Sequence, residues 1–348
     1  MALASLLATG SKVWLDGVAP DAITKNQALG ITGATSNPAI IAKIIEHGEF
    51  DRRAAELLRR GLANEDAVWQ LNDELVKSAQ GVFLPVWEET GGNDGYVSFE
   101  LDPLIEDEAA GLDHTERVAR YVELARQWSA GHHNRMIKVP ATRAGLEALE
   151  PIAAAGVTIN VTLIFTERQY RVARDAIWRG AQRRENGLGD FKSVYSIFVS
   201  RVDVWTAKQV PELSAAAQGL VGILNAKRIW QENREFWADK DLRLQQEIVF
   251  ASTGVKSADE PPDKYVQAFA GDGILTNPPA TNDAVEASQA AYRRRVDQMP
   301  PDDVIGEIDR RVDMETLERE LMEEGIRKFA DPQKELIALI AQKRAAVS

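Results

Sequence analysis

The sequence predicts a closed (β/α)8 TIM barrel that carries additional C-terminal helices. Short apolar or β-rich runs alternate with longer stretches of helical periodicity along almost the whole chain, which is typical of a parallel sheet covered by helices. Eight such runs occur in 348 residues, and eight strands with interposed helices favour a closed barrel over an open, doubly wound sheet. We therefore expect one domain over residues 1–348, with 300–348 as a C-terminal helical extension.

Each predicted strand is a short apolar or β-rich run bounded by glycine, proline or polar residues. Pro140 ends the fourth run, and proline suits a strand end because it cannot donate a hydrogen bond to the sheet. In chain order, the strands are predicted at residues 13–16, 30–36, 96–101, 136–140, 158–165, 193–199, 247–251 and 273–275.

The predicted helices lie in most of the intervals between these strands, but the sequence predicts no helix at residues 17–29 or 252–272. Asn37 suits the N-cap of the helix after the second strand, since proline follows it at the first helical position. We predict helices at residues 38–47, 51–83 (two helices, split near 61–64), 115–129, 143–154, 166–186, 203–240 (interrupted near Pro211), 283–299, 314–325 and 332–344. The acidic stretch 300–313 is predicted to be a linker to C-terminal helices that pack on the barrel, and whether these cover its mouth stays open.

Composition excludes several classes of function. The net charge of −12 argues against nucleic acid or an anionic membrane as partner, and an anionic small substrate would need a local cluster of cations. The chain has no cysteine, which excludes disulfides, thiolate metal sites and cysteine nucleophiles and fits a reducing compartment such as the cytoplasm. No apolar run is long enough to span a membrane, and residues 1–10 lack the pattern of a signal peptide. The four histidines show no convincing metal-ligand spacing.

Lys138 is the most informative residue, because it lies inside the apolar run 136–140. Strands buried on both faces in α/β proteins form continuous apolar runs, so an ammonium there would be desolvated. Burial favours the neutral amine, which is the form that attacks a ketone to give a Schiff base. The alternative is a strand-end lysine that reaches solvent or pairs with a carboxylate.

Polar residues follow or end most of the other predicted strands. Because the carboxyl ends of barrel strands converge on one mouth, where active sites of this architecture lie, we expect these side chains to come together. Each has an ordinary alternative as a turn residue, helix cap, strand former or surface charge, but together they would be costly to bury without a function. They are Asp16, Asn37, Ser98, Glu100, Asn160, Thr162, Ser196, Ser200, Arg201, Ser252 and Lys256, and the apolar Phe198 shares a face with Ser196 and Ser200.

At these positions the sequence resembles the transaldolase family of class I, Schiff-base aldolases. The resemblance covers essentially the whole chain, and it depends on several motifs in the right order. They are WLD (14–16), TSNPAI (35–40), VSFELDP (97–103), MIKVPAT (136–142), NVTLIF (160–165), FVSRVD (198–203) and ASTG (251–254) with Lys256.

The resemblance implies a role for each candidate residue and no need for a metal or organic cofactor. Lys138 would form the Schiff base, Asp16 would exchange the proton of the hydroxyl at the cleaved bond, and Glu100 with Thr162 would hold the water of imine formation. Sugar hydroxyls would be bound by Asn37, Asn160 and Ser196. The substrate phosphate would be bound by Arg201, Ser252 and Lys256.

The implied reaction transfers a dihydroxyacetone unit from a ketose phosphate (sedoheptulose 7-phosphate or fructose 6-phosphate) to an aldose phosphate (glyceraldehyde 3-phosphate or erythrose 4-phosphate), in the pentose phosphate pathway. The fructose-6-phosphate aldolase branch of the family usually has Gln and Tyr at the positions of Glu100 and Phe198. The resemblance therefore favours transfer of the dihydroxyacetone unit over its release. The segment 276–281 departs from the pattern: it reads TNPPAT where the family usually shows Thr-Met-Pro. A fructose-6-phosphate aldolase, a sulfosugar transaldolase and a non-catalytic sugar-phosphate-binding barrel stay open as alternatives, and so does assembly as a homodimer.

Overall fold

Eight parallel strands close into a barrel in the computed structural model, with each strand paired to the next in the chain and the last paired to the first. The structure describes residues 2–257 and 259–347. The strands are β1 (Ser11–Asp16), β2 (Gly33–Thr35), β3 (Val97–Glu100), β4 (Arg135–Pro140), β5 (Ile159–Ile164), β6 (Ser193–Phe198), β7 (Glu247–Ala251) and β8 (Gly273–Asn277). The predicted fold class is confirmed.

Helices surround the barrel and bury their apolar faces against it. They are α1 (Ala2–Leu7), α2 (Pro20–Gln27), α3 (Pro38–Glu46), α4 (Asp51–Arg59), α5 (Asn64–Glu89), α6 (His114–Ser129), α7 (Arg143–Ala154), α8 (Glu167–Ala181), α9 (Ser200–Gln209), α10 (Val221–Trp237), α11 (Lys264–Phe269), α12 (Pro279–Ser288), α13 (Asp302–Arg311) and α14 (Met314–Val347), with short 3-10 helices at Pro103–Glu106 and Glu108–Ala110. None of the helices in the described residues is both long and apolar enough to cross a bilayer.

A layer of apolar side chains closes the barrel below the mouth. Trp14 is its largest member, and the layer is formed by Trp14, Tyr96, Met136, Val194, Val249 and Ile274. Gly33 is needed opposite Trp14, because a Cβ there would lie 2.7 Å from the indole. Side chains two apart on a strand share a face. Asp16 and Lys138 therefore lie one layer above Trp14 and Met136, toward the mouth.

The C-terminal region differs from its prediction. The stretch 300–313 is not a linker, since it contains α13, and 314–325 and 332–344 belong to the single helix α14. Gly325 suggested a helix end, but it lies inside α14, where a Cβ would come within 3.1 Å of Leu163. Close packing of α14 on the barrel therefore explains this glycine, and tertiary contacts outweigh the helix-breaking tendencies of Gly325 and of Pro332, which also lies inside α14.

Two other helix predictions were wrong at their ends. The helix predicted at 283–299 is α12, which ends at Ser288 because Gln289 adopts a left-handed backbone with φ of 53°. The long helix predicted at 166–186 ends at Ala181. The predicted strand bounds agree with the observed ones to within three residues, and the split of 51–83 into two helices is confirmed, with the second extending to Glu89.

Candidate active site

A cavity of about 130 Å³ opens at the carboxyl ends of the strands. Eleven residues were given a role or a preference by the family resemblance, and nine of them line this cavity: Asp16, Asn37, Lys138, Thr162, Ser196, Phe198, Arg201, Ser252 and Lys256. The other two, Glu100 and Asn160, lie behind the cavity wall and hydrogen-bond to residues that line it. The strand-end pattern in the sequence therefore identified a set of side chains that the fold does bring together.

Lys138 and Glu100 form a buried ion pair. The register of β3 against β4 places the two residues side by side, and Lys138 Nζ lies 3.0 Å from Glu100 Oε2. Lys138 and Glu100 are only 5% and 3% exposed, so the lysine pairs with a carboxylate without reaching solvent. Lys138 Nζ also donates to the backbone carbonyl of Ser36 at 3.2 Å. Burial raises the pKa of Glu100 to about 6, although Lys138 opposes that shift.

Asp16 ends β1 and faces the same cavity. Thr35 donates its hydroxyl proton to Asp16 Oδ1 at 3.1 Å, and Thr35 Oγ1 also lies 3.0 Å from Thr276 Oγ1. Removal from bulk water raises the pKa of Asp16, while the charge of Lys138 opposes the shift. A carboxylate whose pKa is raised is a stronger base, so Asp16 is suited to accept a proton from a bound substrate.

Asn160 is held by two serine side chains. Its Nδ2 donates to Ser98 Oγ at 2.9 Å, and its Oδ1 accepts from Ser196 Oγ at 2.7 Å. All three residues are buried. Asn160 therefore positions Ser196 at the cavity wall, and its expected contact with a sugar hydroxyl stays a prediction.

Thr162 stands out because its buried hydroxyl oxygen has no hydrogen-bond partner among residues 2–257 and 259–347. The neighbouring Leu163 has a φ of 56°, and the pairing of β5 with β6 shifts register there. Such a bulge re-aims side chains near active sites. Leu163 packs with Phe165 and Phe198 in a second apolar cluster, whereas Thr162 faces the cavity.

Asn37 acts as a helix cap as well as a cavity residue. Its Oδ1 accepts from the backbone N–H of Ile40 at 3.0 Å at the start of α3. The ordinary alternative considered for Asn37 is thus correct, and its side chain also borders the cavity.

Two cationic side chains, Arg201 and Lys256, line both this cavity and a larger outer cavity of about 580 Å³. Arg201 lies in the first turn of α9, and its guanidinium is 4.9 Å from the ring centroid of Phe198. Its buried NH1 nitrogen has no hydrogen-bond partner within the described ranges. Partial burial, followed by repulsion from Arg201 and Lys328, lowers the pKa of Lys256. Ser252 hydrogen-bonds to Ser200 through their hydroxyls at 2.8 Å. Adjacent cations with unused donors form a suitable site for an anionic group.

Six cavity residues were absent from the predicted site, and three of them, Thr35, Thr276 and Phe329, bring a hydroxyl or an aromatic ring to it. Thr35 and Thr276 lie in segments that the sequence analysis singled out, and both place hydroxyls beside Asp16 or beside each other. Phe329 comes from α14, with its ring centroid 5.8 Å from Lys138 Nζ. No local pattern marks Phe329, because helical periodicity distinguishes only an apolar face and not what that face covers.

The arrangement suits covalent chemistry on a carbonyl compound. The amine of Lys138, the carboxylate of Asp16 and several hydroxyls line one small cavity, and Glu100 lies behind Lys138. Both carboxylates have raised pKa values. No group of three His, Asp or Glu residues that could hold a metal ion occurs among the residues described. The groups available at the cavity are therefore a nucleophile, proton carriers and an anion site.

Comparisons with known proteins place almost the whole chain in the family that the sequence motifs resemble. Residues 13–340 match the family model described as Transaldolase/Fructose-6-phosphate aldolase. A transaldolase from Mycobacterium tuberculosis is 33% identical over 377 aligned residues, which cover 96% of this chain and 95% of that protein. A transaldolase from Thermobifida fusca is 32% identical, and the alignment covers 99% of this chain and 98% of that protein. "Transaldolase 2" of Streptomyces coelicolor is 33% identical, and the alignment covers 97% of this chain and 95% of that protein. The chain therefore belongs to the transaldolase/fructose-6-phosphate aldolase family of enzymes.

Proposed function

We propose that this protein is a transaldolase that transfers a dihydroxyacetone unit between sugar phosphates through a Schiff base on Lys138. The observation that carries the proposal is the buried contact of 3.0 Å between Lys138 Nζ and Glu100 Oε2, in a cavity that Asp16 also lines. If the ion pair of Lys138 and Glu100 served only stability, there would be no need for a second carboxylate, that of Asp16, to face the same cavity.

The first step is formation of the imine. Transfer of a proton from Lys138 Nζ to Glu100 leaves two neutral groups, and the pKa of about 6 at Glu100 makes this transfer less costly than for an ordinary carboxylate. The free amine then attacks the ketose carbonyl carbon at C2, whose oxygen takes up a proton to give a carbinolamine. Glu100 then returns its proton to the C2 hydroxyl, which leaves as water bound by Glu100 and Thr162, and a protonated imine remains.

The second step is cleavage and transfer. Asp16 removes the proton of the C4 hydroxyl, the C3–C4 bond breaks, and its electron pair moves into the imine to give an enamine while an aldose leaves. In the reverse sense, the enamine carbon attacks the aldehyde carbon of the acceptor, and Asp16 returns the proton to the new hydroxyl. Hydrolysis of the imine releases the new ketose and regenerates the lysine.

The substrate class follows from the anion site. Arg201 and Lys256 stand at the outer end of the cavity, so a phosphate there would direct the carbonyl end of the sugar toward Lys138. We propose sedoheptulose 7-phosphate or fructose 6-phosphate as donor and glyceraldehyde 3-phosphate or erythrose 4-phosphate as acceptor. This is the transfer step of the pentose phosphate pathway, and the cysteine-free composition suits a place in the cytoplasm.

A second candidate is an aldolase that releases free dihydroxyacetone, since the matched family model includes both activities. Glu100 and Phe198 favour transfer, on the resemblance described above. A sulfosugar would carry a different anion to the same cations, so the anionic group of the substrate is tested separately below.

One assay incubates the protein with sedoheptulose 7-phosphate and sodium borohydride and maps the adduct by peptide mass spectrometry. A parallel assay without borohydride measures turnover with and without glyceraldehyde 3-phosphate. We expect one reduced adduct, on Lys138, and turnover that requires glyceraldehyde 3-phosphate. Release of dihydroxyacetone without acceptor would identify the aldolase, and a preference for sulfonated over phosphorylated donors would identify the sulfosugar enzyme. Binding without any adduct would leave a sugar-binding barrel and overturn the proposal.

A further inference from the structure

A buried chain of polar side chains runs outward from the barrel mouth. Thr253 Oγ1 donates to Asn277 Oδ1 at 2.7 Å, Asn277 Nδ2 donates to Asn282 Oδ1 at 3.0 Å, and Asn282 Nδ2 donates to Asn26 Oδ1 at 2.9 Å. Asn26 in turn donates to the carbonyl of Ala22 at 2.8 Å. The four polar residues of this amide chain are at most 1% exposed. It links the loop after β7 through β8 to α12 and α2.

The amide chain begins next to a strained residue of the candidate site. Ser252 has a φ of 56°, a left-handed conformation that a non-glycine residue keeps only when its surroundings hold it there. On one side, Ser252 is tied to α9, because its hydroxyl meets that of Ser200 at 2.8 Å and its carbonyl accepts from the backbone N–H of Ser200 at 3.1 Å. On the other side, Thr253 is tied to β8, because its hydroxyl lies within hydrogen-bond reach of both Asn277 Oδ1 and the carbonyl of Thr276.

The position of Asn277 suits an indirect role. It ends β8 and contributes to the amide chain, whereas its neighbour Thr276 lines the cavity. Asn277 is also the residue that interrupts the expected motif at 276–281. A fully satisfied buried polar network fixes the geometry of what it holds, and a network with one member removed leaves unpaired groups.

From these contacts we infer that Asn277 and Thr253 are positioning residues that hold the 252–256 loop in the geometry that binds the phosphate of the substrate. The inference rests on the proposed function for the identity of that phosphate. Without the anchor on β8, Ser252 can relax from its left-handed conformation, and Lys256, four residues along the chain, moves with the loop. Lys138 and Glu100 lie on β4 and β3 and have no hydrogen bond to the amide chain among the described residues.

The test measures binding of the phosphate near Arg201 and Lys256 separately from binding of the ketone at Lys138. Thr253→Val and Asn277→Leu remove the anchor, and Thr253→Ser keeps the hydroxyl. Asn233→Leu is a matched control, because Asn233 is a buried asparagine (4% exposed) that donates to the carbonyl of Gln246 at 2.8 Å, just before β7 and far from the mouth. Affinity for inorganic phosphate is measured by calorimetry, with Arg201→Met locating the site. Affinity for unphosphorylated dihydroxyacetone is measured by borohydride trapping on Lys138 across a concentration series.

We expect Thr253→Val and Asn277→Leu to weaken phosphate binding about tenfold, because small misplacements of binding groups are costly, and to change half-saturation by dihydroxyacetone less than about twofold. Thr253→Ser and Asn233→Leu should match wild type in both assays. Unchanged phosphate affinity in Thr253→Val would overturn the inference. Equal losses of affinity for phosphate and for dihydroxyacetone would also overturn it, because they would show that the residue supports the structure of the whole site. Absence of trapping in wild type would instead refute the Schiff base, while a selective phosphate effect would still support the anchoring of the loop.

Discussion

The barrel contains a buried lysine–glutamate pair at each end, and the two pairs differ in what surrounds them. At the mouth, Lys138 Nζ lies 3.0 Å from Glu100 Oε2, with side chains 6% and 4% exposed. At the opposite end, Lys192 Nζ lies 2.5 Å from Glu247 Oε2, with side chains 0% and 11% exposed. Burial of a lysine beside a carboxylate therefore does not by itself distinguish a reactive group from a structural one.

The number and sign of the neighbours make the difference. Glu247 lies between two cations, since Lys12 Nζ is also 2.9 Å away. Burial alone would raise the pKa of Glu247, but attraction to Lys192 and Lys12 lowers it. Glu100 has Lys138 as its ion-pair partner, and the negative charge of Asp16 adds to the effect of burial, so its pKa is raised to about 6.

Hydrogen bonding gives the same contrast. Lys192 also donates to the carbonyl of Gln245 at 2.6 Å. Gln245 and Glu247 border an outer cavity of about 510 Å³, but Lys192 itself does not line it. Lys138 faces a cavity in which the hydroxyl of Thr162 has no hydrogen-bond partner within residues 2–257 and 259–347. In this architecture the carboxyl ends of the strands hold the chemistry and the amino ends hold the barrel together.

The largest expected effect separates the two lysines. Lys138→Met should abolish the borohydride adduct and reduce kcat/KM by about 10^4-fold or more, because the covalent route is lost. It should change the free energy of unfolding by less than about 1 kcal/mol, since Glu100 can take up a proton and the methionine fills the space. Lys192→Met should do the opposite, reducing stability by about 3 kcal/mol with kcat within about twofold of wild type. Urea unfolding and steady-state kinetics on both variants measure this, and similar kinetic losses in the two would contradict the comparison.

A smaller effect is expected at a carboxylate of the cavity, Asp16, which is compared with the buried carboxylate of Asp94. Asp16→Asn should reduce the rate of cleavage by about 10^2- to 10^4-fold by removing the base, while the donor still forms a trapped adduct on Lys138. Asp94, whose Oδ1 accepts from Trp14 Nε1 at 2.9 Å below the cavity floor, is the control, and Asp94→Asn should keep activity. Rapid-quench kinetics with borohydride trapping distinguishes the steps. Loss of the adduct in Asp16→Asn would assign Asp16 to imine formation instead.

The smallest expected effect is a pair of opposite pH dependences. Glu100 has a raised pKa, so between its ordinary value of 4.5 and about 6 the folded state binds a proton that the unfolded state has released. The stability of wild type relative to Glu100→Gln should therefore fall by about 2 kcal/mol as pH rises through this window. The pKa of Glu247 is lowered, so the stability of wild type relative to Glu247→Gln should be present above the ordinary carboxyl range and decrease as pH falls.

Urea unfolding of the three proteins measures both differences, between about pH 4.5 and 6.5 for Glu100 and between about pH 6.5 and 3 for Glu247. A common sign at the two glutamates would show that their surroundings are electrostatically alike, and the distinction between a reactive and a structural pair would then rest on the cavity alone.

Local sequence predicted much of the site because strand geometry is regular. The alternation of side chains on β1 and β4 places Asp16 two residues beyond Trp14 and Lys138 two residues beyond Met136, so polar residues at strand ends could be assigned to the mouth. Register across neighbouring strands then brought Glu100, Lys138 and Asn160 into one row. None of these placements needed more than the barrel topology.

Other features depend on contacts between segments that are distant in the sequence. Phe329 reaches the cavity only because α14 lies across the mouth. The amide chain depends on β8 meeting α12 and α2, and Asn160 is engaged by serines from two other strands. A local pattern shows which face of an element is apolar or polar, but it does not show which other element will cover that face.

The sequence by itself determined the barrel, the ends of its strands and the chemical types of the groups gathered there, because periodicity and turn residues act over short distances. Only the tertiary structure decided that Lys138 pairs with Glu100 while Lys192 is held by Glu247 and its neighbours, that Ser252 keeps a left-handed backbone, and that one long helix covers the cavity. The physical reason is that desolvation and charge pairing depend on every group packed around a side chain, and most of those groups come from elsewhere in the chain.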